Sequence, residues 1–311
     1  MAIVLEMKNL PFAIVCSPSC VCAIVLNVFF IFCLCKPVVG ASLHQPMRFL
    51  LAAVLGNSTV QQLLAAISIV LSFFSPPDWL PVVNVTINLQ AYCSSFSINA
   101  WISIFYYMKI VPQHCKVFVW VKKNIKGVVL AGFLFDQTLL LSALSMGAAS
   151  YLTPPMAEDL NVTRFGGRTV VNGALYKLST RLVLLYLICP SCTLLISWGR
   201  TFFYLRRHIR RMERNTESCS HPQQKNHMRV TVMGIVQTAL FLPTSLYAMT
   251  MTLLFTLHET LDNDKHITIT ITSMLNLANV SCLGFSQSVF RLRIIELLKT
   301  LIKEFGSVDQ N

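Results

Sequence analysis

Charge is scarce in this chain: Asp, Glu, Lys and Arg make up 12% of its 311 residues, against 54% apolar ones. A soluble globular domain carries about 25% charged residues, so too little charge is present to coat a water-facing surface. Mean hydropathy is correspondingly high, at +0.61. A cytosolic enzyme, a disordered tail and a disulfide-stapled secreted module are thereby excluded. Catalytic signatures are missing as well. The sequence holds no Gly-rich phosphate loop, no His-Glu-x-x-His and no Ser set in Gly-x-Ser-x-Gly. No enzymatic activity, no cofactor and no metal are expected. Acidic residues are the scarcer sign, 13 against 25 Lys and Arg, a net charge of +12. In isolation that balance fits a nucleic-acid binder, and the positions of the charges decide against it.

What the chain does have is long runs without charge. A spanning helix needs about 20 predominantly apolar residues. Seven such runs fall at about 11–35, 49–74, 86–108, 127–150, 182–205, 230–257 and 267–290. The second closes on Ser75-Pro76-Pro77-Asp78, a turn signal. Only Asp136 interrupts the fourth, and Arg200 is near enough to the end of the fifth to snorkel. The expected fold is an all-α membrane protein: one seven-transmembrane helix bundle over 1–311, with 291–311 as a cytoplasmic tail. Ten residues precede the first span without a cleavage pattern, so that helix is expected to be retained.

Basic residues sort to one side. With the N-terminus extracellular and the C-terminus cytoplasmic, nineteen of the 25 basic residues lie on inner segments, while seven of the 13 acidic ones lie outside. The +12 is then a cytoplasmic face set against anionic lipid, not a nucleic-acid surface. Asn-x-Thr sequons agree with that orientation: Asn161 sits in the longest outer loop and Asn84 near the outer end of span 3. Both are candidate glycosylation sites. The matches at Asn57 and Asn279 lie inside spans, out of reach of a glycan. The pairs Cys20/Cys22 and Cys33/Cys35 suggest chelates, but residues two apart on a helix face different ways, which leaves packing as their reading.

A transporter places several ionisable groups at membrane depth. This chain offers Asp136 alone, which reads best as a carboxyl bonded to a neighbouring helix. A pore would want a ring of like charges or a filter loop, and none is visible. Seven spans with a nearly charge-free interior point to a signalling receptor. Rhodopsin-like receptors usually carry an acidic-Arg-Tyr triplet in span 3, Asn-Pro-x-x-Tyr in span 7 and a disulfide from span 3 to the outer loop, and all three are missing.

The inner end of span 3 instead reads Phe105-Tyr106-Tyr107-Met108-Lys109-Ile110-Val111, followed by Phe118-Val119-Trp120-Val121-Lys122-Lys123. Span 5 carries Pro190 and Leu194-Leu195-Ile196, then Leu205-Arg206-Arg207-His208-Ile209-Arg210-Arg211-Met212. His227 opens span 6, and Asn27-Val28-Phe29-Phe30-Ile31 lies in span 1. In these motifs the chain resembles the bitter taste receptors, the type 2 taste receptor family. Thr59 stands near that family's span 2 Arg, Phe285 replaces the His of its span 7 His-Ser, Pro243 is atypical, and Phe290-Arg291-Leu292-Arg293 shortens its tail motif. The chain therefore reads as a divergent member. Type 1 vomeronasal-like pheromone receptors are the nearest alternative, with a transporter or channel using Asp136 behind them.

The resemblance implies a plasma-membrane, multi-pass glycoprotein that detects small-molecule agonists between the outer halves of spans 3, 5, 6 and 7. Candidate ligand contacts are Asn88, Tyr92 and Phe96 from span 3, Thr244, Tyr247 and Met251 from span 6, and Ile271, Leu275 and Ala278 from span 7. It also implies a heterotrimeric G protein as partner, gustducin or another inhibitory-type α subunit. Tyr106, Lys109, Arg206, Arg207, His208, Arg211, His227 and Arg229 are the candidate coupling residues. Membrane lipid is the remaining partner, and no nucleic acid is expected.

Overall fold

The computed structural model describes residues 7–36, 46–74, 77, 79–112, 115–152, 163–165, 168–170, 173–215, 222–256 and 265–308. In chain order the helices are α1 Asn9–Cys35, α2 Met47–Leu71, α3 Trp79–Ile110, α4 Lys116–Lys123, α5 Ile125–Leu152, α6 Gly173–Asn215, α7 Pro222–Thr256, α8 His266–Ser286 and α9 Ser288–Val308. A short antiparallel pair, β1 Thr163–Phe165 with β2 Arg168–Val170, stands between α5 and α6 in an otherwise helical chain. Each charge-free run has become one long helix.

Among the described residues six helices are long and apolar enough to cross a membrane: α1, α2, α5, α6, α7 and α8. The 32-residue α3 is long enough too, but Asn84, Asn88, Gln90 and Asn99 dilute it. It tolerates them because it runs through the middle of the bundle. Helices α2, α5, α6 and α7 all pack on it, and residues 91–100 are buried without a break. A polar group inside a bundle can find a partner, as Asn84 does on Ser68 and Asn99 on the Ser95 carbonyl, whereas one facing hydrocarbon does not. Around α3 the others form a ring, with α1 against α2 and α8, α6 against α5 and α7, and α7 against α8. Val21, Val25, Phe135, Leu141, Ile196 and Phe203 are exposed on its outside. So apolar an outer surface suits hydrocarbon as its solvent.

Neutral groups tie the ring together. Asn27 Nδ2 donates to Ser58 Oγ at 2.8 Å, and Asn276 Nδ2 donates to the Ser58 carbonyl at 3.1 Å. Ser273 Oγ donates to Gln62 Oε1 at 2.8 Å. Thr59, where the resembled family has Arg, bonds only within its own helix, to the Leu55 carbonyl. Amides and hydroxyls thus join α1, α2 and α8 without an ion pair. The two sequons inside spans belong to the same system. Asn57 donates to the Ala91 carbonyl at 2.7 Å, and Asn279 accepts from Gln237 at 2.7 Å.

Several boundaries differ from expectation. Helix α2 stops at Leu71, three residues short, and α6 continues past the apolar slab for 43 residues in all. Its extension is rich in Arg, a good helix former, so nothing stops the helix where hydropathy ends. Span 7 ends at Ser286 rather than 290. Gln287 takes an extended backbone (φ −89°, ψ 129°), and the expected tail is largely the helix α9. Arg291, Arg293, Glu296 and Lys299 alternate with Leu and Ile in α9, an amphipathic pattern suited to an interface rather than a bundle interior. Close contact between α6 and α7 depends on glycine: the Trp198 indole of α6 lies where any Cβ on Gly234 of α7 would collide with it.

Candidate functional site

One half of the bundle holds an aromatic cluster in which Tyr92, Phe96, Phe241 and Leu275 pack together with Leu140, Leu144 and Leu187. Tyr92 meets Phe96 edge-on at 5.1 Å, and Phe96 meets Phe241 at 4.8 Å. The Tyr92 hydroxyl donates to the Thr244 carbonyl at 2.9 Å, bridging α3 to α7 beside Pro243. Against this cluster lies a cavity of about 10 Å³, room for about one water. Its walls are Gln61 of α2, Tyr92 and Ser95 of α3, Phe241 of α7, and Thr272, Leu275, Asn276 and Asn279 of α8. Aromatic and aliphatic surface with convergent neutral polar groups is what a small-molecule site is made of.

Of the nine expected ligand contacts, Tyr92 and Leu275 line this cavity. Phe96 is fully buried behind them. Tyr247 is engaged elsewhere, its hydroxyl 3.1 Å from Thr268 Oγ1 of α8. Thr244, Met251, Ile271 and Ala278 are half-buried and line none of it. Asn88, one turn from Tyr92, is only 7% exposed and its Nδ2 has no hydrogen-bond partner. A buried amide left unpaired costs about 1–3 kcal/mol. Sequence reasoning missed Gln61, Ser95, Thr272, Asn276 and Asn279. The signal was a polar stripe on α8, Thr272, Asn276 and Asn279 at i, i+4 and i+7, one position round from Ile271, Leu275 and Ala278.

Near the C-terminal end of α3, in the C-terminal part of α6 and near the N-terminal end of α7, Lys109, Arg206, Arg207, His208 and Arg229 are exposed. The His208 ring lies 6.0 Å from that of Tyr204. Arg211 and His227 belong to α6 and α7, but their side chains fall outside the described residues. Tyr106 requires a correction. It was expected in the coupling surface with these cations, yet it is only 8% exposed and packs 5.8 Å from Trp198. Gln287 Nε2 donates to its hydroxyl at 3.2 Å. The C-terminal end of α3 is therefore latched to the break between α8 and α9, because a buried phenol needs a polar partner and Gln287 supplies one.

Asp136 accepts a hydrogen bond from Ser97. Next to it, Gln137 accepts from Ser94 at 2.6 Å and reaches Tyr186 at 3.5 Å. These contacts clip α5 to α3 and α6. The expectation of a glycan at Asn84 is overturned: this residue is buried within α3, and its Nδ2 donates to Ser68 Oγ at 2.6 Å. No room remains there for a sugar. Asn161 lies outside the described residues.

Comparison with known proteins bears on this arrangement. The family model described as taste receptor protein (TAS2R) matches residues 5–284. Among curated proteins, taste receptor type 2 member 7 of Pongo pygmaeus is 26% identical over 152 residues, 45% of each chain. The same-named protein of Gorilla gorilla gorilla is 28% identical over 153 residues, again 45% of each chain. Taste receptor type 2 member 43 of Papio hamadryas is 24% identical over 164 residues, 51% of this chain and 52% of the relative. The chain thus spans about half the length of the curated relatives it matches. A match that runs from before α1 to the last turn of α8 identifies this membrane protein as belonging to the TAS2R family of taste receptor proteins.

Proposed function

We propose that the chain is a plasma-membrane, G-protein-coupled chemosensory receptor for small bitter-type compounds, with its N-terminus outside and seven spanning helices. The cavity beside Tyr92 carries this reading. It lies among α2, α3, α7 and α8 and is lined by aromatic and neutral polar groups; Asn88, whose buried amide is unpaired, stands one turn along α3 from its lining residue Tyr92. At about 10 Å³ the cavity is too small for such a compound, so agonist binding selects a wider conformer in which α7 and α8 move away from α3. Agonists are neutral or weakly charged amphiphiles. Apolar contacts distinguish analogues by only about 1–3 kcal/mol, which makes the tuning broad.

The inner half reports that change. Agonist shifts the population only as far as it binds the open conformer better than the closed one. Opening breaks the Tyr106–Gln287 latch and separates α6 from α7. The exposed cations Lys109, Arg206, Arg207, His208 and Arg229, with Arg211 and His227, then receive the C-terminal helix of an inhibitory-type or gustducin-like α subunit. Asn161 carries the glycan.

Two variants and one counter-assay test this reading. Lys109→Ala and His208→Ala should reach the cell surface normally and lose agonist-evoked calcium responses. Asp136→Asn should leave agonist-evoked G-protein activation measurable, with no ion flux in the variant or the parent. Agonist-evoked flux abolished by Asp136→Asn would instead support a transporter or channel.

A further inference from the structure

The C-terminal end of α1 gathers cations around one exposed ring. The Arg293 guanidinium of α9 lies 5.4 Å from the Phe32 ring centroid, and the Lys36 ammonium lies 5.8 Å from it. Both are within cation–π range, and they stand no farther apart than those two distances together. Arg48 joins them from the first turn of α2, its Nη2 donating to the Leu34 carbonyl at 3.3 Å. Lys36 and Arg48 are exposed and Arg293 is half-buried. Among the described residues these three cations make a single ion pair, Arg293 Nη1 to Glu296 at 2.5 Å. Arg293 Nε is buried with no hydrogen-bond partner. Three positive charges thus meet one negative one.

What lies beside the cations names their occupant. Val25, Val28 and Phe32 are exposed at i, i+3 and i+7, an apolar stripe down α1 that ends at Lys36. Leu292 and Ile295 of α9 are exposed next to Arg293. A free anion would use the cations and leave the stripe bare, and a neutral hydrocarbon would do the reverse. A phospholipid uses both, with an acyl chain on the stripe and phosphate among the cations. Arg forks bidentately onto phosphate, and basic residues at the end of a spanning helix attract anionic headgroups. The surplus of two positive charges suits a headgroup with more than one negative charge.

We propose that Lys36, Arg48 and Arg293 form a binding site for the headgroup of a polyanionic phospholipid, which ties α9 to the ends of α1 and α2. Its acyl chain lies along Val25, Val28 and Phe32. The orientation proposed above puts this end of α1 in the cytoplasmic leaflet, and the site itself does not depend on that.

The probe is a phosphatidylinositol bisphosphate with a photoreactive acyl chain, titrated into the full-length receptor in phosphatidylcholine-containing detergent micelles. After photolysis, labelling of the α1 peptide is followed by mass spectrometry. It should saturate in wild type. Lys36→Gln and Arg293→Gln should each raise the half-saturating concentration about fivefold, the scale for one basic residue beside an anionic lipid surface. Lys123→Gln removes the same charge from α4 and should change nothing. Equal half-saturation in wild type and both site variants would overturn the proposal, as would an equal rise in Lys123→Gln, the mark of diffuse attraction. Inorganic phosphate at matched ionic strength should not compete; displacement by it would make this a free-anion site and overturn the lipid. Should Arg293→Gln not fold, Lys36→Gln decides, since it alters an exposed side chain. Neither agonist nor G protein takes part, so a negative result leaves the receptor reading standing.

Discussion

Tyr106→Phe is the sharpest perturbation of the closed state. It deletes one hydroxyl, keeps the ring against Trp198, and removes the 3.2 Å bond from Gln287 Nε2 together with the longer 3.5 Å contact of the hydroxyl with Gln287 Oε1. Gln287 retains a second acceptor in Ser286 Oγ at 3.3 Å, so little desolvation penalty is left behind. What is lost is the net worth of one buried neutral hydrogen bond, about 0.5–1.5 kcal/mol. If that bond exists only in the closed conformer, the closed-to-open ratio falls about two- to twelvefold. Ligand-free signalling should rise by that factor, measured as G-protein dissociation by energy transfer and normalised to receptor at the surface. Gln287→Ala should give a rise of the same order, and the double variant little more than either, since both singles break one bond. Basal signalling that stays flat or falls in both variants at equal surface level would refute the latch.

Other consequences are open to direct measurement. Asn88→Leu replaces the orphaned donor by an apolar isostere; agonist concentration–response curves should shift by about tenfold or more at unchanged surface expression, since a polar ligand group loses its partner. Gly234→Ala forces a methyl against the Trp198 indole. Overpacking of this kind costs about 1–3 kcal/mol, seen as a lower melting temperature of the purified receptor. Asn84→Gln should leave the electrophoretic mobility of the mature protein unchanged, while Asn161→Gln should increase it by the loss of one glycan.

Much of the bundle was legible in the sequence because charge is excluded from hydrocarbon, and the charge-free runs coincide with α1, α2, α3, α5, α6, α7 and α8. Counting charge also found α3, whose Asn and Ser content hides it from hydropathy; its central position explains how those residues are tolerated. Helix ends were less legible. Arg206–Arg211 continue α6 as readily as Leu would, and the break at Gln287 carries neither Pro nor Gly. At the cavity, Tyr92 and Leu275 were reached through the family resemblance, whereas the α8 stripe of Thr272, Asn276 and Asn279 went unread because apolar neighbours looked equally periodic. The burial of Tyr106 depends on Gln287, 181 residues away, a contact no local pattern encodes.

The central claim, that this TAS2R-family chain detects bitter-type small molecules and signals through a G protein, meets its most direct test in calcium imaging. Cells expressing the full chain with a chimeric inhibitory-type α subunit would be screened against a panel of chemically diverse bitter compounds. The expected result is saturable responses to several unrelated neutral amphiphiles, each lost in cells without the α subunit. Surface expression with silence to every compound, or responses that persist without the α subunit, would contradict it.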